Sequence, residues 1–278
     1  MKIGPRSPHI VNLLAVGLAL LAAGILPARA QTRIACLGEQ TTHSFHREND
    51  PEYPVFLGEI LDPDFKVDAA KVHPNQGGFL EGGGTKYRIG NFGHPRGTVL
   101  DHELENPRSV LRSDEFKLAE RFAPNAVILG PFGDHELLTK VSMDRFTADL
   151  RTLIDRISAF SSHPVVFVVL PLPRGGTDED ANYRRIRDET LQVAREKKLP
   201  VIDLWKAFLG QKQYFKDASH LTVPGRRQLA KVVAEAITAW KAATVRGRRT
   251  RSDPTSVPSR SIAIKRIGKR ASIRRRRG

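Results

Sequence analysis

RIACLGEQTTHSF, residues Arg33 to Phe45, is the stretch on which the fold turns. Ile34, Ala35, Cys36 and Leu37 make a short apolar run after Arg33, and Gly38 then releases the chain into Glu39, Gln40, Thr41, Thr42 and His43, none of which extends a buried strand. A first strand that ends in polar side chains presents them at the carboxyl edge of a sheet, where open α/β folds hold their ligands.

The same alternation continues along the chain. Tyr53 to Leu61 places Phe56, Ile60 and Leu61 at helical spacing, and Asp62-Pro63-Asp64 ends that helix. Asp68 to Lys86 is Gly-rich with little periodicity and reads as a surface loop. Tyr87 to Phe92 is a second strand, and Ser113 caps a helix through Phe122 with Asp114 and Glu115 in its first turn, where the helix dipole favours acids. Ala126 to Leu129 is a central strand. Met143 to Phe160 is the clearest amphipathic helix, with Phe146, Leu150, Leu153 and Ile157 on one face and Ser142 as its cap. Pro164 to Leu170 is apolar on both faces, the pattern of a parallel strand covered by helices. Asp180 to Lys198 is a helix, Pro200 to Leu204 a buried strand, and Pro224 to Ala242 a closing helix with Leu229, Val232, Val233 and Ile237 inward. Strand and helix alternate five times, which predicts an α/β fold: a three-layer α/β/α sandwich with a central parallel sheet.

A hydrophobic content of 40% over 278 residues suffices for a sizeable core. Lys2 and Arg6 precede an uncharged apolar run from Ile10 to Leu26 and then Ala28-Arg29-Ala30, which predicts a signal peptide over 1–30 and export to the periplasm or the exterior. With Cys36 as the single cysteine, no disulfide forms within the chain. The net charge of +15 is unevenly placed: Arg246 to Gly278 holds 13 Lys and Arg against Asp253, the first thirty residues add three more, and residues 31 to 245 are close to neutral. This divides the chain into a 31–243 domain and a basic, Arg-rich tail over 244–278 that lacks the apolar density for a core and is expected to be disordered. Adhesion to an anionic polymer or membrane surface is one reading of the tail and a solubilising appendage the other. It has no aromatic residue of the kind a stacking nucleic-acid site needs, so no specific nucleic-acid site is expected.

Four stretches together resemble the SGNH/GDSL hydrolases. In that family the first strand ends in Gly-Asp-Ser, with the Ser as nucleophile; here Gly38 matches, Glu39 stands for the Asp and Gln40 stands at the Ser. NFGHPRGTVL, from Asn91, is similar to the second block, Asn-Phe-Gly-Val-Ser-Gly-Ala-Thr: Asn91, Phe92, Gly93 and Thr98 match, and Arg96 falls on the oxyanion Gly unless a one-residue shift brings Gly97 there. Asp217-Ala218-Ser219-His220-Leu221-Thr222 resembles the closing Asp-x-x-His block, in which the Asp fixes the tautomer of a His base. In the third block, Gly-x-Asn-Asp, the ungapped match over GPFGDHE puts Asp134 at the Asn and His135 beside it.

The resemblance covers almost all of residues 32 to 242 and implies an SGNH-hydrolase-like, flavodoxin-like fold and hydrolysis of carboxylic esters, with acyl or acetyl groups on carbohydrate or lipid as substrates. It makes Asp217, His220, Gln40 and Asp134 the catalytic positions, and Gly38, Glu39, Thr41, Arg96, Gly97 and His135 the substrate-binding ones. A Gln carboxamide does not attack an ester, so the acyl-enzyme route through this position is closed. Three readings follow. His220 activates water directly, or a hydroxyl on Thr41, Thr42 or Ser44 replaces the nucleophile. The pocket is kept for binding an acylated polysaccharide or sugar without turnover. Glu39, His43, His46, His94, Asp134, His135 and His220, spread along one sheet edge, bind a metal ion. The sequence enforces no ligand set, and no cofactor is assigned.

Overall fold

A computed structural model describes residues 31–43, 51–74, 78–101, 108–133, 136 and 142–251. The chain divides into two units, Met1–Thr238 and Ala239–Gly278, and the site described below belongs to the first.

Seven strands, β1 (Thr32–Gly38), β2 (Lys66–Val67), β3 (Glu81–Gly83), β4 (Tyr87–Gly93), β5 (Ala126–Leu129), β6 (Val165–Val169) and β7 (Val201–Ile202), form one sheet in the order β2-β3-β4-β1-β5-β6-β7. From β4 to β7 the pairing is parallel, whereas β2-β3 and β3-β4 pair antiparallel, so the sheet is mixed. The five parallel strands lie in the spatial order second, first, third, fourth, fifth, the flavodoxin-like arrangement, whose topological switch point falls at the carboxyl ends of β1 and β5.

The antiparallel strand β3 corrects the reading of Asp68 to Lys86 as a surface loop. Phe79 and Leu80 are buried, Val72 bridges to Phe79, and β3 runs beside β4, where Gly82 leaves room for the Phe65 ring. A glycine-rich strand has no side-chain periodicity to betray it, and the neighbouring strand supplies its order.

The helices are α1 (Gln40–His43), α2 (Tyr53–Leu61), α3 (Asp114–Arg121), α4 (Met143–Ser158), α5 (Ala181–Glu196), α6 (Leu204–Phe208) and α7 (Val223–Arg251). Helices lie on both sides of the sheet. Alternate strand residues Ala35, Leu37, Val127, Leu129, Val166 and Val168 join Phe116 of α3, Phe146, Leu150 and Leu153 of α4 and Ile186 and Val193 of α5 in one cluster. The intervening Ile34, Cys36, Ile128 and Phe167 are equally buried and point to the opposite face. There Tyr53 and Phe56 of α2 are buried, and Arg227 of α7 lies 4.2 Å from the centre of the Phe56 ring. Ser113 and Ser142 cap α3 and α4, accepting from the N–H groups of Phe116 and Arg145.

Two boundaries move. The strand expected through Leu204 ends at Ile202, because the Asp203 side chain accepts from the Lys206 N–H at 2.9 Å and starts α6 instead. The closing helix runs to Arg251, past Ala242: no proline interrupts it before Pro254, and Gly247 alone costs a helix only about 1 kcal/mol. The apolar run Ile10–Leu26 and residues 252–278 of the basic tail lie outside the described residues, as do Ser44 and His46.

Candidate active site

At the switch point the ends of β1, β4 and β5 are pressed together. Gly38 pairs with Gly93, the Gly130 N–H donates to the Leu37 carbonyl at 2.8 Å, and the His94 N–H donates to the Gly38 carbonyl at 2.8 Å. The chain then folds back at once as α1, whose first turn is held by the Thr42 and His43 N–H groups donating to the Glu39 carbonyl and by the Thr42 hydroxyl donating to the Gly130 carbonyl at 3.2 Å. This close return explains both glycines. A Cβ at Gly38 would stand 2.5 Å from Thr42 Oγ1 and 2.8 Å from the Gly130 oxygen, and one at Gly93 would overlap the His43 backbone.

Gln40 opens α1, and its Nε2 lies 2.5 Å from His220 Nε2. The other ring nitrogen of His220, Nδ1, is 2.8 and 2.9 Å from the two Asp217 oxygens, and Asp217 also accepts from the backbone N–H groups of Ser219 and His220 at 2.9 Å. Burial works against ionisation of Asp217, but these hydrogen bonds outweigh it and hold the carboxyl below the usual carboxylate range. An ionised Asp217 takes the Nδ1 proton as its partner, which leaves Nε2 as an acceptor toward the Gln40 amide. The loop carrying the pair is anchored at its base: the Lys216 N–H donates to the His220 carbonyl, the Gly175 N–H to Ala218, and the Thr222 N–H to Tyr214. The structure therefore brings together Asp217, His220 and Gln40, residues separated by about 180 positions in the chain.

A small pocket of about 20 Å³ opens beside them. Glu39 and Thr41 enter it from either side of Gln40, Pro131 and Phe132 from the end of β5, and Ala218 and Ser219 from between Asp217 and His220. Pro171 and Leu172 after β6, Tyr183 of α5 and Phe215 complete the wall. Glu39 is 4% exposed.

Other expected site residues fall elsewhere. Arg96 is exposed, with φ at 56°, and Gly97 donates its N–H to the His94 carbonyl at 2.8 Å, within the turn itself. Neither lines the pocket. Asp134 and His135 lie outside the described residues. Of the metal candidates, His43 is buried against His73, ring centres 4.4 Å apart, and His94 Nδ1 meets a Glu115 oxygen at 3.0 Å, away from the pocket. Among the described residues no three His, Cys, Asp or Glu side chains are arranged to hold a metal ion.

Three buried glutamates escaped the sequence reading. Glu115, read as a helix-dipole acid, is fully buried and faces both His94 and His73. Glu136 accepts from the Thr98 hydroxyl at 2.8 Å and the Val99 N–H at 2.9 Å, tying the loop after β5 to the loop after β4; burial raises its carboxyl pKa despite those bonds. Glu52 accepts from the Asn91 side-chain amide at 2.7 Å, while Asn91 Oδ1 accepts from the Gly93 N–H at 3.1 Å. Burial raises the Glu52 carboxyl from 4.5 to about 9, against the Asn91 bond and the charge of Arg226. Glu52 and Glu115 stand at the starts of α2 and α3, a placement that in sequence reads as helix capping and not as burial.

No curated protein matches the chain. Solved structures do match it. An acetylxylan esterase from Geobacillus stearothermophilus is 17% identical, with a TM-score of 0.54, covering 74% of this chain and 94% of its own. A lipase/acylhydrolase from Enterococcus faecalis is 17% identical, with a TM-score of 0.52, covering 75% and 96%. AlAXEase, an acetyl xylan esterase, is 17% identical, with a TM-score of 0.54, covering 74% and 99%. At such identities the likeness is one of fold. The profile of the GDSL-like lipase/acylhydrolase family matches residues 82–251, a stretch that begins after α1 and runs through the Asp217–His220 loop. With 170 of 278 residues matched and the fold shared, the chain belongs to the GDSL-like lipase/acylhydrolase family.

Proposed function

We propose that the protein is an exported hydrolase of carboxylic esters, acting on short acyl groups carried by carbohydrate or lipid, in which His220 activates water and no acyl-enzyme forms. The observation that carries this reading is the line from Asp217 through His220 to Gln40 beside a pocket of about 20 Å³, room for a methyl-sized acyl tail. Gln40 occupies the nucleophile position of the family and has no group that attacks a carbonyl. For turnover its amide gives up His220 Nε2 to a water. That water attacks the ester carbonyl and passes a proton to Nε2; the C–O bond breaks, and His220 returns the proton to the departing alkoxide. The solved acetylxylan esterases of this fold support the acyl class.

A second reading keeps the pocket for binding alone, and one contact favours it: the Gln40 amide already saturates the ring nitrogen that a base needs. Hydrolysis of 4-nitrophenyl acetate separates the two. If the parent turns over and His220→Ala lowers the rate by about 10²–10⁴-fold, the hydrolase reading stands. A silent parent, with Gln40→Ser gaining His220-dependent turnover, establishes the binding protein instead. For the basic tail we propose adhesion to an anionic surface after export, supported by 13 Lys and Arg against one Asp in its last 33 residues.

A further inference from the structure

The loop after β6 carries a side chain that the site described above leaves unused. Pro171 and Leu172 form part of the pocket wall, and the chain then makes one tight turn, Arg174–Gly176. That turn is fixed against the Asp217–His220 loop: the Gly175 N–H donates to the Ala218 carbonyl at 2.9 Å, and the Gly176 carbonyl accepts from the Gly210 N–H at 2.8 Å. Arg174 stands over Tyr183, itself a wall residue, with the guanidinium carbon 5.6 Å from the ring centre. Its Nε is shielded from water and makes no hydrogen bond, and its Nη1 is 3.6 Å from an Asp180 oxygen, beyond hydrogen-bond reach. The other Asp180 oxygen is occupied in capping α5, where it accepts from the Asn182 and Tyr183 N–H groups at 3.0 and 3.2 Å. A partly exposed ion pair of that length contributes little, whereas a buried N–H without an acceptor is costly. The guanidinium fork presents Nε–H and an Nη–H side by side, at the spacing of the two oxygens of a carboxylate. The pocket wall holds no Lys, Arg or His, so this cation stands outside the acyl room, where the pocket opens to solvent and the alcohol part of a bound ester extends.

We infer that Arg174 is a specificity-determining residue that binds a carboxylate on the alcohol part of the ester, so that the favoured substrate is an acylated acidic sugar, a uronic acid. The inference rests on the ester-hydrolase reading only for the word ester; the binding preference stands without turnover.

The test uses the full chain and two sugars that share a ring and differ at one carbon: methyl glucuronide, which carries a carboxylate, and methyl glucoside, which carries a hydroxymethyl group. In NMR titrations at neutral pH the glucuronide is expected to bind at least about tenfold more tightly, and added salt should erode the preference. Arg174→Gln should abolish the preference, and Arg174→Lys, which keeps the charge and loses the fork, should recover only part of it. Asp180→Asn retains a capping side chain on α5 and removes the competing carboxylate. It should tighten glucuronide binding about threefold and leave the glucoside unchanged, even if the Arg174 variants fail to fold. Equal binding of the two sugars, no saturable binding of the glucuronide, a preference that survives in Arg174→Gln, or unchanged glucuronide binding in Asp180→Asn overturns the inference. Hydrolysis of 4-nitrophenyl acetate then separates the two proposals. Selective glucuronide binding without turnover supports the role of Arg174 and removes the hydrolase, whereas turnover without a glucuronide preference does the reverse.

Discussion

At the scale of single residues the site divides into what spacing reveals and what burial decides. Asp217 and His220 were legible because an Asp three residues before a His on a turn reaches one ring nitrogen by local geometry alone, and the 2.8 Å contact is that geometry. Glu52, Glu115 and Glu136 were not legible, because a glutamate in sequence reads as a surface residue until a fold removes its water. Glu52 carries a measurable consequence. Its carboxyl rises from 4.5 to about 9 on folding, so its favourable contribution is fully present below about pH 4.5 and is lost as pH rises toward 9, where the fold must hold a buried charge. Glu52→Gln keeps the shape and removes the titration. Urea unfolding is therefore expected to show the stability of Glu52→Gln gaining on that of the parent steadily from pH 5 to 9; parallel curves would mean that Arg226 compensates the charge completely.

At the scale of elements the sequence located most strands and helices and missed what neighbours impose. The alternation of β1, β4, β5 and β6 with amphipathic helices was readable from periodicity, while β3, made of Glu81, Gly82 and Gly83, exists only because β4 offers it an edge. α1 was likewise invisible: four polar residues look like a turn, and the backbone becomes helical because Gly38 and Gly93 let it fold back onto the strand ends. The loops after β4 and β5 are joined by Glu136, whose single oxygen serves both the Thr98 hydroxyl and the Val99 N–H. Glu136→Ala leaves two buried donors without that acceptor and is expected to cost about 2–4 kcal/mol. Glu136→Gln retains an acceptor and should cost less than half as much in the same urea experiment; equal losses would show that the charge, and not the tie between the loops, is what matters.

At the scale of the whole molecule, charge and core are kept apart. Residues 31 to 245 are near neutral, and almost all the excess positive charge lies in the last 33 residues. Removal of residues 252–278 takes away nine of those Lys and Arg and is expected to leave the melting temperature within about 1 °C, since the stretch is too poor in apolar residues to build a core, while abolishing salt-sensitive retention on an anionic matrix. A large drop in melting temperature, or unchanged retention, would refute the separation. The sequence by itself determined the α/β class, the order of the main elements and the Asp217–His220 pair, because periodicity, caps and short spacings are local properties written in adjacent residues. Only the tertiary structure decided that the sheet is mixed, that Gln40 meets His220 across 180 residues, that His43 and His94 turn away from the pocket, and that Glu39 sits in a small aromatic room. Each of these depends on which strand ends lie side by side, and strand order is set by packing of the whole sheet between its helices, which no short stretch of sequence encodes.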